Sequence, residues 1–258
     1  MKKNMIITIL AVLVIGLGGF IIYDKAIDKG KTKENNTEET TNNNVVDDTV
    51  TFTDSELQKY VNYISPVSIG PSALIYSKSE VKVSNMSGKD KIEYVGSKIF
   101  DKQTSYNEGQ NYYYNIEEKD VKNIVEEIYG PNTYEQTTFN FGCGEYILNN
   151  GKYTVKTGGC GGASPVIVSN VIIDYKATKS KLEITTAYAF FNGSTNMIYK
   201  DINGSIPLTS FNSSDMNEIN LYLNEYVKTN KDKLYHIVYT FESKDGRNYY
   251  FKEFINNK

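Results

Sequence analysis

Two cysteines, one histidine and one arginine are the residues of this chain best suited to nucleophilic or charge-relay chemistry. Cys143 and Cys160 sit in Phe141-Gly-Cys-Gly-Glu145 and Gly158-Gly-Cys-Gly-Gly162, on either side of a hairpin pattern. In an oxidising compartment such a pair forms a disulfide, and the flanking glycines let the backbone reach the short Cα–Cα distance a bridge requires. Closing a loop of that size contributes about 3 kcal/mol in the chain-entropy picture. The alternatives are two free structural thiols or a reactive thiol. Two thiols with one distant imidazole do not make a four-ligand metal site, so neither a metal nor a cofactor is expected.

His236 lies in the alternating run Leu234-Tyr-His-Ile-Val-Tyr-Thr-Phe241, on the side of Leu234, Val238 and Thr240. A strand histidine with a satisfied or solvated ring fits this pattern better than a catalytic base. Arg247 follows Gly246 in a turn and reads as a solvated tip residue. Glu117-Glu118 and Glu126-Glu127 read as the solvated face of a helix, and Asp201-Ile-Asn-Gly204 as a turn lacking the rest of a calcium loop. The glycines around Cys160 come with neither a GK[ST] nor a dinucleotide fingerprint. No catalytic residue is assigned. The candidate ligand contacts are aromatic, Tyr112-Tyr113-Tyr114 and Tyr249-Tyr250, which could present ring faces to glycans or peptides if they point outward. Packing on a strand is the competing role for them.

The elements that must position these residues change character along the chain. Thr53-Asp-Ser-Glu56 is a capping box ahead of Leu57, Tyr60, Val61 and Ile64 at helical spacing, stopped by Pro66. A short extended piece (Ala73–Tyr76, then Val81–Val83) follows. Ser87 can cap a second helix with Ile92, Val95 and Ile99 on one face. A third helix carries Val121, Ile124, Val125 and Ile128 and ends at Gly130-Pro131. Strand patterns take over at Thr137–Phe141, Glu145–Leu148 and Tyr153–Lys156, with Asn149-Asn150-Gly151 as a hairpin turn. Longer strands run over Val166–Tyr175 and Leu182–Phe191, then Ile198–Ile202. A fourth helix is expected over Asp215–Lys228, and a last hairpin joins Leu234–Glu242 to Tyr249–Ile255. Helices first, then an antiparallel meander, predicts an α+β domain: about three helices followed by an antiparallel sheet with one further helix.

Upstream, Lys2 and Lys3 precede an apolar run, Met5–Tyr23, interrupted before its tyrosine only by Thr8. As a helix it would reach about 28 Å, close to the hydrocarbon thickness of a bilayer. Residues 1–4 are then a short cytoplasmic tail and 5–23 an uncleaved transmembrane signal-anchor, with a cleaved signal peptide as the alternative. Residues 24–49 are Lys, Glu, Asn, Thr and Asp with almost nothing to bury, which predicts a disordered polar spacer. Residues 50–258 form the extracytoplasmic domain. A count of basic residues alone favours the opposite orientation, because Lys25, Lys29, Lys31 and Lys33 follow the span. The basic start and the cysteine pair favour the domain outside.

The 258 residues carry a formal net charge of −3, which excludes nucleic acid as the main partner because phosphate binding needs a basic surface. A single Arg among 28 basic residues, with abundant Asn and Tyr, points to AT-rich coding. An anchored β-rich domain with Cys, His and Arg shares the outline of sortase transpeptidases. Their Thr-Leu-x-Thr-Cys segment is absent here, and His236 lies after the cysteines rather than before. In layout the chain resembles singly anchored extracytoplasmic proteins of AT-rich Gram-positive bacteria. The expected function is a non-enzymatic binding or scaffolding domain at the cell envelope. Its partners would be the cytoplasmic membrane, through the N-terminal helix, and a cell-wall glycan or envelope protein. The alternative is an envelope hydrolase or transferase using carboxylates in a cleft.

Overall fold

Thr53 starts the first described helix by the expected reciprocal bonds. Its hydroxyl accepts the Glu56 N–H at 3.3 Å while the Glu56 carboxylate accepts the Thr53 N–H at 2.7 Å. This helix, α1 (Asp54–Val61), buries Leu57 and Val61. The computed structural model describes residues 48–64, 75–141, 144–157 and 166–258. The Met5–Tyr23 span, the spacer up to residue 47, Cys143 and Cys160 lie outside the described residues. Among those described, no helix is long and apolar enough to cross a membrane.

After α1 come β1 (Glu80–Lys82), α2 (Gly88–Tyr94), α3 (Gly96–Phe100), β2 (Thr104–Glu108), β3 (Asn111–Glu117) and α4 (Glu118–Tyr129). Strands β4 (Phe139–Phe141), β5 (Gly144–Asn149), β6 (Lys152–Thr157), β7 (Val166–Ala177), β8 (Lys181–Asn192), β9 (Met197–Tyr199) and β10 (Pro207–Ser210) follow. Helix α5 (Met216–Asn230) and the closing hairpin β11 (Tyr235–Ser243) and β12 (Tyr249–Asn257) complete the chain.

The α+β expectation is overturned. Among the described residues 42% are in strands against 29% in helices, so the fold is mostly β, with two antiparallel sheets and five helices. Helices and strands do not segregate along the chain either. Strand β1 pairs with the C-terminal β12, and the β2–β3 hairpin falls between α3 and α4. That hairpin escapes a pattern reading for a physical reason. Strand β2 (Thr-Ser-Tyr-Asn-Glu) is exposed at every position, so no buried face imposes an alternation on it.

The expected second helix is also two. Ile92, Val95 and Ile99 are all buried, as one face requires, but the helix breaks at Val95 (φ −102°, ψ 15°). Gly96 is the cause. It is a poor helix former, and it lets the Phe141 ring approach so closely that a Cβ there would stand 2.2 Å from Cε2.

One sheet has the order β2-β3-β6-β5-β4. The other runs β1-β12-β11-β8-β9-β10, with β7 also on β8. Strand β8 is buried on both faces. Leu182, Ile184, Tyr188 and Phe190 face a large core shared with both sheets and α1–α4. Ala187, Ala189 and Phe191 face a smaller core under α5, with Ile219, Leu223 and Val227. Each fully buried aliphatic chain in these cores stabilises the fold by about 1.5–3 kcal/mol, as an upper bound. The β5–β6 turn is of the expected kind, with Asn150 (φ 49°) and Gly151 (φ 77°) both left-handed.

Candidate binding cleft

Helix α1, the last turn of α4 and the start of β12 enclose a cleft of about 190 Å³ lined by Lys59, Tyr60, Tyr63, Glu126, Glu127, Asn248, Tyr249 and Tyr250. Its inner wall is aromatic. Tyr60 meets Phe52, Tyr63, Phe241 and Tyr249 edge-on, with ring centroids 5.2–6.1 Å apart, which fixes the ring against the β11–β12 hairpin. Burial, then the neighbouring Tyr249, raises the Tyr60 phenol pKa above its ordinary value.

The outer wall is charged. Glu127 Oε1 accepts the Tyr63 hydroxyl at 2.8 Å and lies 3.6 Å from Lys59 Nζ. Burial, reinforced by the Glu127 carboxylate, holds the Tyr63 phenol far above its usual pKa, so it stays a donor. Lys59 Nζ also sits 5.6 Å from the Tyr63 ring centroid, within cation–π range. Glu126 Oε1 accepts the Asn132 N–H at 3.2 Å. Gly130, with φ 105°, ends α4 and carries no Cβ, and the Tyr250 ring lies directly against it.

A tight turn positions the third side. Asp245 accepts the Asn248 N–H at 2.8 Å, the Arg247 N–H at 2.9 Å and the Asn248 side-chain amide at 2.7 Å. The backbone N–H groups of Asn248 and Arg247, then the Asn248 amide, hold the exposed Asp245 carboxyl far below the usual carboxylate range. This network places Asn248 at the cleft mouth.

The structure separates the candidate tyrosines. Tyr249 and Tyr250 reach the cleft, Tyr249 buried behind it and Tyr250 half-buried in its wall. Tyr112, Tyr113 and Tyr114 belong to β3 in the other sheet and do not form one platform, because strand side chains alternate. Tyr112 and Tyr114 pack edge to face at 5.2 Å on the side of buried Ile116, whereas Tyr113 stacks on its cross-strand neighbour Tyr106 at 5.0 Å. His236 Nε2 lies 2.8 Å from the Lys231 carbonyl, which makes it the protonated, donating nitrogen. Arg247 sits in the β11–β12 turn. Asp201 accepts the Ser205 and Ile206 N–H groups and so shapes a turn. Among the described residues no group of three His, Cys, Asp or Glu could hold a metal ion.

Sequence reading missed Lys59, Tyr60, Tyr63 and Asn248 as cleft residues, and read Glu126 and Glu127 as plain solvated face. One signal was available. The last turn of α4 holds two glutamates and no basic residue, against the preference of a helix C-terminus for cations. Comparison with protein-family models, with curated proteins and with solved structures finds no match for this chain.

Proposed function

We propose that the chain is a single-pass, membrane-anchored protein of the bacterial envelope whose extracytoplasmic β-rich domain binds a ligand in the α1–α4 cleft and does not transform it. The observation that carries this reading is how the cleft's carboxylates are held. Glu126 and Glu127 are consecutive on one helix, so they project about 100° apart and do not face each other across a substrate. Hydrolysis by a carboxylate pair needs two groups on opposite sides of the scissile bond, about 5–9.5 Å apart. Each glutamate already accepts a bond from a neighbour, Glu126 from Asn132 and Glu127 from Tyr63. Tyrosine walls with a few fixed polar groups are the usual lining of a recognition site.

The test uses the full-length chain in its membrane. Protease added to intact protoplasts should digest the domain, and full protection would overturn the topology. Solubilised envelope fragments should co-sediment with vesicles carrying the full-length protein. A Tyr250→Ala variant with an unchanged near-ultraviolet circular dichroism spectrum should lose that binding. Turnover of the fragments by the wild-type protein, abolished in Glu127→Gln, would overturn the binding reading in favour of an enzyme.

A further inference from the structure

We propose that the cleft receives a primary alkylammonium group, and that Lys59 supplies an internal placeholder for it. This deepens the binding reading above and rests on it. Three independent features favour a cation. First, the C-terminal ends of two helices meet here, α1 through Lys59 and Tyr60, with Tyr63 just past its end, and α4 through Glu126 and Glu127. Helix C-termini carry partial negative charge. Second, two carboxylates stand on the last turn of α4, which has no basic residue of its own. Oε1 of each is engaged, whereas Oε2 of each accepts no hydrogen bond among the described residues. Third, four tyrosine rings complete the lining, and ring faces attract ammonium groups.

The chain already demonstrates the chemistry with its own side chain. Lys59 Nζ rests between the Glu127 carboxylate and the Tyr63 ring. Its hold is weak, because the Lys59 and Glu127 side chains are 61% and 54% exposed and the ion pair is loose at 3.6 Å. A flexible four-carbon stem can swing the ammonium out to water when an external one enters. The resident lysine therefore lowers the apparent affinity by the fraction of time it occupies the site.

The experiment measures binding of Nα-acetyl-lysine methylamide to the full-length chain in detergent micelles by saturation-transfer NMR. The neutral isostere Nα-acetyl-norleucine methylamide is the control. Lysine derivative but not isostere should bind, and more weakly as salt is raised. Lys59→Ala should tighten binding by about three- to fivefold, the upper range for releasing an exposed ion pair. Lys122→Ala removes the same charge one turn from Glu126 without vacating the cleft, and should change affinity less than twofold. Glu127→Gln should weaken binding about tenfold. Equal binding of the isostere, or a Lys59→Ala variant no tighter than Lys122→Ala, overturns the proposal. If the lysine probe fails while envelope fragments still bind through Tyr250, the ammonium assignment falls and the binding reading stands. If neither binds, both fall.

Discussion

The Tyr63 hydroxyl donates to Glu127 Oε1 at 2.8 Å, joining residues 64 positions apart and tying the end of α1 to the last turn of α4. This bond sets the width of the cleft, because Tyr63 and Glu127 stand on its two walls. Tyr63→Phe should lower the unfolding free energy by about 1 kcal/mol, the usual worth of one such bond. Glu127→Gln should cost a similar amount. In a double-mutant cycle by urea denaturation the two losses should be clearly less than additive. Full additivity would show that the residues do not interact in solution.

Tyr188 and Tyr76 pack against each other in the core, their rings tilted by 47° with centroids 4.6 Å apart, yet their hydroxyls differ. Tyr188 donates to the buried Asn256 Oδ1 at 2.8 Å, whereas the Tyr76 hydroxyl finds no partner among the described residues. Tyr188→Phe strands a buried acceptor and should cost about 1–2 kcal/mol. Tyr76→Phe removes a hydroxyl with no partner among the described residues and should be neutral or stabilising by up to about 1 kcal/mol. Denaturant midpoints of the two variants moving together would contradict this assignment of partners.

At Gly96 a side chain meets the Phe141 ring. Alanine would gain about 1 kcal/mol of helix propensity, but its Cβ would lie 2.2–2.3 Å from two ring carbons. Displacing a packed aromatic ring costs about 1–3 kcal/mol or more. Gly96→Ala should therefore be destabilising, with the loss visible as a lower melting temperature. A stabilised variant would mean that Phe141 does not close over α3.

Alkali should unfold the domain through its tyrosines. Burial pushes the phenols of Tyr94, Tyr146 and Tyr239 up to about 12 and raises those of Tyr76 and Tyr129 well above their ordinary value. A phenol whose pKa is raised in the folded state favours folding by staying neutral. That contribution is whole below the unfolded value near 10 and is lost as pH rises through the folded values. With 22 Tyr and no Trp, the phenolate absorbance is a clean reporter. The buried rings should add to it only as circular dichroism is lost, from about pH 12. A single stage near pH 10 with the fold intact would refute this burial pattern.

With the domain outside the cytoplasm, as proposed above, Cys143 and Cys160 should be bridged. Gly144, next to Cys143, stands against Val155 and Lys156, the last part of β6 before Cys160. The described start of β5 and end of β6 therefore lie side by side. Alkylation of the non-reduced full-length chain should label neither thiol, and labelling after reduction should add two groups. Two labelled thiols without reductant would dismiss the bridge.

Much of the local architecture was legible in the residues alone, because short-range physics writes it. The Thr53–Glu56 capping box, the stop of α4 at Gly130, the Asn150-Gly151 turn and the long strands from Val166 and Leu182 all depend on neighbours within a few positions. What the residues could not announce was decided by contacts far apart in sequence. The Phe141 ring closes over Gly96, beside the break between α2 and α3. The expected extended piece at Val81 becomes β1 paired with β12, a partner at the far end of the chain. Tyr112, Tyr113 and Tyr114 look like one aromatic patch in sequence, but a pleated strand sends neighbours to opposite faces. The cleft itself follows the same logic. Lys59, Glu127 and Tyr250 are each ordinary surface choices, and only packing of α1, α4 and the β11–β12 hairpin gathers them around one space. Backbone preference acts within a turn or two, whereas burial acts between any residues the fold brings together.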